Sequence, residues 1–230
     1  MAQAKFEDFL AEDAVSRLAR DFTRRLTANI QSQTRNYFNQ SHRIGLPDYP
    51  LRQPAAALGS MLAAAVAPLT PVHLSQVPSA RTGRQRPTRA DKGALWCNYR
   101  EADLLLDIAQ TGLSLDSGRK TDVIRAAWNG ALEPLSKIDR NAYAWTDFGA
   151  RISLLAIQPY SNDPEFAEAW DAGEEEKLSA TVRKVTGKSL GILSTWPLPR
   201  NMQVIAGNSA GSDFEFCPVI FLAGAMANIS

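Results

Sequence analysis

The sequence is short of the residues that usually build metal and redox sites. Its 230 residues include two cysteines, Cys97 and Cys217, and two histidines, His42 and His73. The histidines are far apart and the cysteines lack paired spacing, which argues against a structural zinc site. Both cysteines lie in apolar, strand-like runs, which predicts small buried thiols in a reducing, cytoplasmic compartment. A single disulfide between them is the alternative that the sequence leaves open.

The chain also lacks a strong net charge and a long apolar run. Its 25 basic and 24 acidic side chains give a formal net charge of +1. No overall field therefore attracts nucleic acid or an anionic membrane, and any such affinity must come from local clusters. The longest apolar stretch, residues 218–227, is too short to cross a bilayer as a helix. Charged side chains at positions 5–13 are incompatible with the apolar centre of a signal peptide.

Hydrophobic residues, by contrast, make up 45% of the chain, which is enough to bury a full core. Apolar runs at 93–100 and 102–110 predict two strands that pair as an antiparallel hairpin, the second covered on both faces. An apolar stripe at 123–135 predicts a helix, and residues 151–159 predict another strand. This β-β-α-β order indicates an α/β (or α+β) domain with a mixed sheet of about five to six strands flanked by helices.

Helical spacing of apolar residues predicts one long helix, or two in tandem, over 4–37, and another helix over 55–67. We therefore divide the chain into an N-terminal helical arm (1–67), a proline- and arginine-rich loop (68–92) and an α/β core (93–230), together forming a single domain. Pro134 is expected to kink or end its helix about one turn early. Later segments predict a helix over 163–185, divided near Gly173, and strands over 190–196, 202–206 and 214–222.

Two carboxylates stand at the predicted hairpin. Asp91 precedes its first strand, and Asp107 lies inside the apolar run of its second strand. An unpaired buried carboxylate is costly, so Asp107 should have a partner, a metal ion or open solvent nearby. The pattern Arg89-Ala90-Asp91, a strand, then a second strand ending Leu106-Asp107-Ile108-Ala109 resembles the core of the PD-(D/E)XK (restriction-endonuclease-like) nuclease superfamily. The resemblance covers residues 85–160.

That resemblance implies a Mg²⁺-dependent nuclease site in which two acids hold the cation and a lysine, two residues after the second acid, orients the attacking water. Asp91 and Asp107 match the acids, but Ala109 stands where the lysine should be. Lys120 or Lys92 could supply the missing charge, and Gln110 is a polar neighbour; the sequence does not choose among them. The departure implies impaired or lost cleavage. The alternative interpretation makes Asp91 a loop residue and Asp107 a half-exposed charge at a strand end.

A cluster of cations precedes the first acid, with Asp91 as its one opposing charge. Guanidinium groups beside a carboxylate pair suit the phosphate backbone of double-stranded DNA. No aromatic residue is interleaved, so base stacking is not supported. The alternative is a solvated loop that keeps the protein in solution. The candidate nucleic-acid contacts are Arg81, Arg84, Arg86 and Arg89.

Two other functions can be compared with the sequence, the first being a serine hydrolase. Residues 207–211 match the G-x-S-x-G pattern of a nucleophile elbow, but a strand-like run rather than a helix follows them, and both histidines lie upstream. The context of residues 207–211 therefore favours a flexible turn between strands over a nucleophile elbow. The second function is a non-enzymatic interaction or structural protein, in which the helix at 1–37 or the basic loop contacts a protein partner or a second copy of the chain.

Overall fold

The computed structural model describes residues 4–44, 55–70, 73–75, 95–136, 149–205 and 215–228. The strands are β1 (Lys5–Asp8), β2 (His73–Ser75), β3 (Leu95–Tyr99), β4 (Ala102–Ser114), β5 (Gly149–Tyr160), β6 (Ile192–Pro197), β7 (Val204–Ile205), β8 (Glu215–Phe216) and β9 (Val219–Asn228). The α-helices are α1 (Ala14–Arg43), α2 (Ala55–Val66), α3 (Lys120–Ser136), α4 (Pro164–Ala169), α5 (Ala172–Thr186) and α6 (Arg200–Gln203).

One mixed sheet organises the described residues. Seven strands follow the order β1-β6-β9-β5-β4-β3-β2, and β7 pairs with β8 separately. The central strands β4 and β5 are parallel, in register from Asp103 opposite Gly149 to Ser114 opposite Tyr160. Helix α3 makes the crossover between them, and the other neighbours in the sheet are antiparallel. The predicted hairpin, the β-β-α-β order and the mixed α/β class are therefore confirmed, with the short edge strands β1 and β2 added.

Helices cover both faces of the sheet. On β4, Leu104 and Leu106 belong to an apolar cluster with side chains of α1 and α2. Leu113 belongs to a second cluster with side chains of α3 and α5. Because successive side chains of a strand alternate between faces, Asp107 lies on the α3 face. The prediction that this strand is covered on both sides is confirmed.

The N-terminal segment differs from the predicted helix over 4–37. Residues Lys5–Asp8 form β1, which pairs antiparallel with β6 at the edge of the sheet. Helix α1 begins only at Ala14, where the Asp13 carboxylate caps it by accepting a hydrogen bond from the Ser16 backbone N–H at 2.8 Å. The apolar spacing of the first residues suited a helix, but an open edge on β6 offers them backbone hydrogen bonds, and an acid N-cap starts the helix later.

Of the two predicted helix interruptions, the division near Gly173 is confirmed to within a few residues. Helix α3 continues through Pro134 to Ser136, so the proline does not end it early. Helices α4 and α5 are separated at Trp170 and Asp171, before Gly173. Asp171 caps α5 by accepting hydrogen bonds from the backbone N–H groups of Gly173 and Glu174. The side chain that satisfies those N–H groups fixes where α5 begins.

Three predicted segments at the sheet edges and near the C-terminus also change. The segment 68–92, predicted to be a loop, contains strand β2. The predicted strand 202–206 is instead the short helix α6 followed by the two-residue strand β7. The predicted strand 214–222 is divided before Pro218 into β8 and β9, and β9 continues to Asn228. Proline has no N–H to donate, so a ladder is readily interrupted there.

The structure bears on the predictions about the two cysteines and about membrane-spanning helices. Cys97 and Cys217 are free thiols, and both are buried, so the predicted buried thiols are confirmed and the disulfide is not formed. Among the described helices, none combines the length and apolar character needed to span a membrane.

Candidate functional site

The structure describes only some of the site residues predicted from the sequence. Asp107 and Lys120 lie in described elements, on β4 and at the start of α3. Asp91 and Lys92, together with the predicted DNA contacts Arg81, Arg84, Arg86 and Arg89, fall within 76–94, outside the described residues. The G-x-S-x-G segment at 207–211 also lies outside them. The geometry of the candidate site is therefore that of Asp107 and its surroundings.

Asp107 is held by Arg151 of the neighbouring strand β5. The Arg151 Nε donates to Oδ2 of Asp107 at 2.8 Å, and an Nη donates to Oδ1 at 3.3 Å. The Arg151 side chain is 1% exposed and that of Asp107 is 15% exposed. Both carboxylate oxygens thus accept from one guanidinium, in the fork geometry that arginine and carboxylate groups favour. The predicted need of Asp107 for a partner is met by this ion pair.

Strand β4 separates Asp107 from the other polar candidates. Lys120 follows the far end of β4, and the seven residues from Asp107 to Ser114 span about 23 Å. Gln110 alternates to the face of β4 opposite that of Asp107. Ala109 shares the face of Asp107 and packs at the edge of the apolar cluster around α3. Among the described residues, the structure therefore brings Arg151, rather than a lysine, to the second acid.

The strands that flank the arginine-rich segment in the sequence, β2 and β3, lie on the same side of β4 in the sheet. Strands β2 and β3 pair antiparallel with Ser75 opposite Leu95, so segment 76–94 leaves and re-enters the sheet at one end of this pair. Leu95 is in turn opposite Leu106 of β4, the residue before Asp107. Asp91 precedes Leu95 by four positions in the sequence. The described residues that flank the basic segment, Ser75 and Leu95, thus lie on the two strands that follow β4 in the sheet, level with Leu106.

Arg151 is the site residue that sequence reasoning missed. From the sequence, Arg151 is only the first residue of the strand predicted over 151–159, and no role is assigned to it. A signal was available, because a guanidinium at the start of the apolar run 151–159 has the same need for a buried partner as Asp107 has. Only the parallel register of β4 and β5 shows that Arg151 and Asp107 are partners of each other.

A second polar cluster lies at the tip of the β3–β4 hairpin. The Tyr99 hydroxyl donates to Asp21 of α1 at 2.7 Å, and Arg25 and Arg100 each approach the same carboxylate at 3.2 Å. The hydrogen bond from Tyr99, followed by the two guanidinium groups, lowers the pKa of Asp21 despite partial burial. Arg100 and Glu101 have positive φ angles of 50° and 68°. These contacts connect α1 to the hairpin, and both oxygens of the Asp21 carboxylate take part in them.

The described residues do not by themselves form a magnesium site. Mg²⁺ prefers carboxylate and water oxygens in octahedral geometry, and both Asp107 oxygens already accept from Arg151. Asp103 is also buried on β4, and it accepts a hydrogen bond from the Asn98 amide at 3.1 Å. Across the ranges that the structure describes, no group of three or more His, Cys, Asp or Glu side chains is arranged to hold a metal ion.

Comparisons of the chain with models of protein families, with curated proteins and with solved structures found no match.

Proposed function

We propose that this protein associates with double-stranded DNA through the arginine-rich segment 81–92 and does not cleave it. The observation that supports this proposal is that the described residues flanking segment 76–94, Ser75 and Leu95, are level in the sheet with Leu106, the residue before Asp107. The sequence of this segment gives a local excess of positive charge that the whole chain, at +1, does not have. Such an excess is what contacts with a phosphate backbone require.

The Asp107–Arg151 pair supports binding without hydrolysis. A Mg²⁺ ion held by Asp91 and Asp107 would have to compete with the buried guanidinium for the second acid, because both Asp107 oxygens accept from Arg151. Ala109 offers no ammonium group at the position where the nuclease-like motif has its lysine. We therefore interpret Asp107 as a structural carboxylate. The proposed setting is cytoplasmic, in keeping with two reduced, buried thiols.

DNA binding is tested by fluorescence anisotropy with a labelled duplex over about 50–200 mM salt. The informative variant replaces Arg84, Arg86 and Arg89 together by alanine. Its matched control removes the same number of positive charges outside this segment, at the exposed residues Arg17, Arg119 and Lys188. We expect the first variant to bind more weakly, with the slope of log affinity against log salt reduced by about 2.7.

Two results would overturn DNA association. One is the absence of duplex binding by the unmodified protein at the lowest salt concentration. The other is an equal loss of affinity in both triple variants, which would show that the overall charge rather than the arginine-rich segment governs binding.

Loss of cleavage is tested separately. The unmodified protein is incubated with supercoiled plasmid and Mg²⁺ or Mn²⁺, and metal binding is measured by titration calorimetry in parallel with Asp107→Asn. We expect intact plasmid and no binding heat that depends on Asp107. Plasmid nicking by the unmodified protein that requires Mg²⁺ or Mn²⁺, and that disappears in Asp107→Asn under conditions where circular dichroism shows this variant to be folded, would instead establish a metal-dependent nuclease.

The second candidate function is a non-enzymatic interaction protein. Most apolar side chains of α1 are buried in the protein's own core, so they are not available to a partner. Tyr37 and Ile44, at the end of α1, are instead 42% and 73% exposed. If duplex DNA does not bind, concentration-dependent assembly measured by sedimentation, and its loss in a Tyr37→Ser, Ile44→Ser variant, would favour this function.

A further inference from the structure

A cavity of about 740 Å³ opens between the ends of α4, α5 and α6 and the strand pair β7–β8. Its volume falls within the roughly 300–1,000 Å³ common for small-molecule sites. Strand β5 ends at Tyr160, and Ser161 then pairs with Phe216, one of the lining residues. The cavity therefore lies beyond the carboxyl end of β5, which is where open α/β sheets bind ligands. Nine residue steps along β5, from Arg151 to Tyr160, separate the cavity from the Asp107–Arg151 pair by about 30 Å.

Aromatic rings form part of the cavity wall. Trp170 and Phe216 make an edge-to-face contact with their ring centroids 6.2 Å apart, and Phe166 supports Trp170 from 5.9 Å. Phe216 is buried, and its backbone N–H and carbonyl both bond to Ser161 at 2.8 and 2.9 Å. The backbone bonds and ring contacts fix this wall without a ligand. The face of an aromatic ring attracts cations.

Carboxylates outnumber cations in the lining. Glu168, Asp171 and Glu175 line the cavity together with Arg200, so the described lining carries three negative charges against one positive charge. An anion would meet net repulsion there, whereas a cation would meet attraction. One Asp171 oxygen is committed to the N-cap of α5. Glu175, one turn further along α5, is the least exposed of the three lining carboxylates.

The Glu175 carboxylate is poorly compensated by the described residues. Its side chain is 15% exposed, and its ion pair with Lys5 is long, with Nζ 3.9 Å from Oε1 and the Lys5 side chain 64% exposed. Burial raises the pKa of Glu175, Lys5 lowers it and Glu176 raises it again. A desolvated carboxylate beside an aromatic wall gains stability from a bound cation that brings its own donors.

We propose that this cavity binds a small organic cation, namely a primary ammonium group carried on an apolar body. The ammonium N–H groups donate to the Glu175 carboxylate, because an ammonium has three donors and a carboxylate accepts on both oxygens. The apolar body packs against Trp170 and Phe216. Carboxylates outnumber the one guanidinium, that of Arg200, in the described lining. Among ligands that share the same apolar body, the positively charged one therefore binds most tightly.

The probes are benzylamine, benzyl alcohol and benzoate, which share one ring and differ in charge. Each is titrated into the unmodified full chain by calorimetry near neutral pH and low salt. We expect benzylamine to bind at one site, and the neutral and anionic probes to bind at least about tenfold more weakly. Equal binding of all three probes, tighter binding of benzoate or no binding of benzylamine would overturn the proposal without any variant.

The variants then locate the site. Glu175→Gln keeps the shape of the side chain and removes its charge, and we expect it to weaken benzylamine binding about tenfold. Trp170→Leu should also weaken it. The control is Glu174→Gln, the neighbouring carboxylate on α5, which pairs with Lys177 and does not line the cavity. Circular dichroism checks that each variant is folded. Binding that Glu174→Gln weakens as much as Glu175→Gln does would place the cation elsewhere and overturn the proposal.

Discussion

The guanidinium of Arg151 reaches the carboxylate of Asp107 diagonally across two parallel strands. Arg151 is opposite Leu105 in the register, whereas Asp107 is opposite Ser153. Both charged side chains lie on the face of the sheet that packs against α3, and the cation is almost completely withdrawn from water. Because a buried guanidinium is costly to leave without the carboxylate that accepts from it, we expect Asp107 to stabilise the fold.

Replacement of Asp107 by asparagine should destabilise the protein by about 3–5 kcal/mol, since it removes the charged carboxylate that accepts two hydrogen bonds from a buried guanidinium. The double variant Asp107→Leu, Arg151→Met should recover part of this loss, because no buried charge then remains in the pair. Both effects are measured as free energies of unfolding in urea.

An exposed pair of the same type provides the control for that comparison. Asp122 and Arg125 lie 3.1 Å apart on the surface of α3, both more than half exposed, and Asp122→Asn should change stability by less than about 1 kcal/mol. Equal effects of Asp107→Asn and Asp122→Asn would contradict a structural role for the buried pair.

Removal of the Tyr99 hydroxyl should make stability less dependent on acid pH. The hydrogen bond from Tyr99 is the largest cause of the lowered pKa of Asp21. A lowered folded-state pKa stabilises the fold above the unfolded value of 3.8, and this stabilisation is lost as the pH falls through the folded-state pKa. Tyr99→Phe should therefore cost about 1 kcal/mol near pH 7 and less near pH 3.

Unfolding in urea at a series of pH values measures this difference. Tyr37→Phe is the control, because Tyr37 is 42% exposed on α1, and its stability profile should match that of the unmodified protein. A loss in Tyr99→Phe that is the same at both ends of the pH range would show that Asp21 does not depend on the hydroxyl.

The turn of the β3–β4 hairpin should accept glycine with a gain in stability. Arg100 and Glu101 both have positive φ, a region that costs an L-residue about 1–2 kcal/mol. Two-residue hairpin turns of this kind favour glycine at the second position. Glu101→Gly should raise the thermal unfolding midpoint, with a gain of about 1 kcal/mol. Glu176→Gly, inside helix α5, should lower it by a similar amount; a fall in both variants would contradict the interpretation of the turn.

Two glycines should respond in opposite directions to alanine. At Gly130, in α3, a new Cβ would meet nothing within 4 Å, whereas at Gly224, in β9, it would lie 3.0 Å from Leu154 Cδ2. Gly130→Ala should therefore stabilise the protein by up to about 1 kcal/mol through helix propensity. Gly224→Ala should destabilise it by about 1–3 kcal/mol through overpacking between β5 and β9. Chemical denaturation measures both, and tolerance of Gly224→Ala would contradict the described packing of the sheet.

The two thiols should be protected from modification in the folded protein. Burial, with a smaller effect of Asp103, raises the pKa of Cys97 to about 12, and Cys217 is also buried. A thiol reagent near pH 8 should react slowly with the native protein and rapidly with both cysteines in guanidinium chloride, because the thiolate is the reactive form. Rapid reaction of one thiol in the native state would show that its segment opens readily.

Local patterns in the sequence determined the centre of the fold. The two apolar runs around Arg100 and Glu101 are joined by a connection short enough for a hairpin, and the 3.6-residue stripe of α3 indicates a helix with one covered face. The apolar run within residues 151–159 has the length of a covered strand. These predictions depend on neighbours within one turn or one connection, which is the range over which sequence periodicity carries information.

Only the tertiary structure decided the edges of the sheet and the role of its charges. Lys5–Asp8 has helical spacing yet forms β1, because the edge of β6 lies beside it in space and not in sequence. The need of Asp107 for a partner followed from its apolar setting, but three kinds of partner met that need equally well. The register of β4 against β5 assigned the role to Arg151, 44 residues away, because pairing between distant strands is set by the whole core and not by either segment alone.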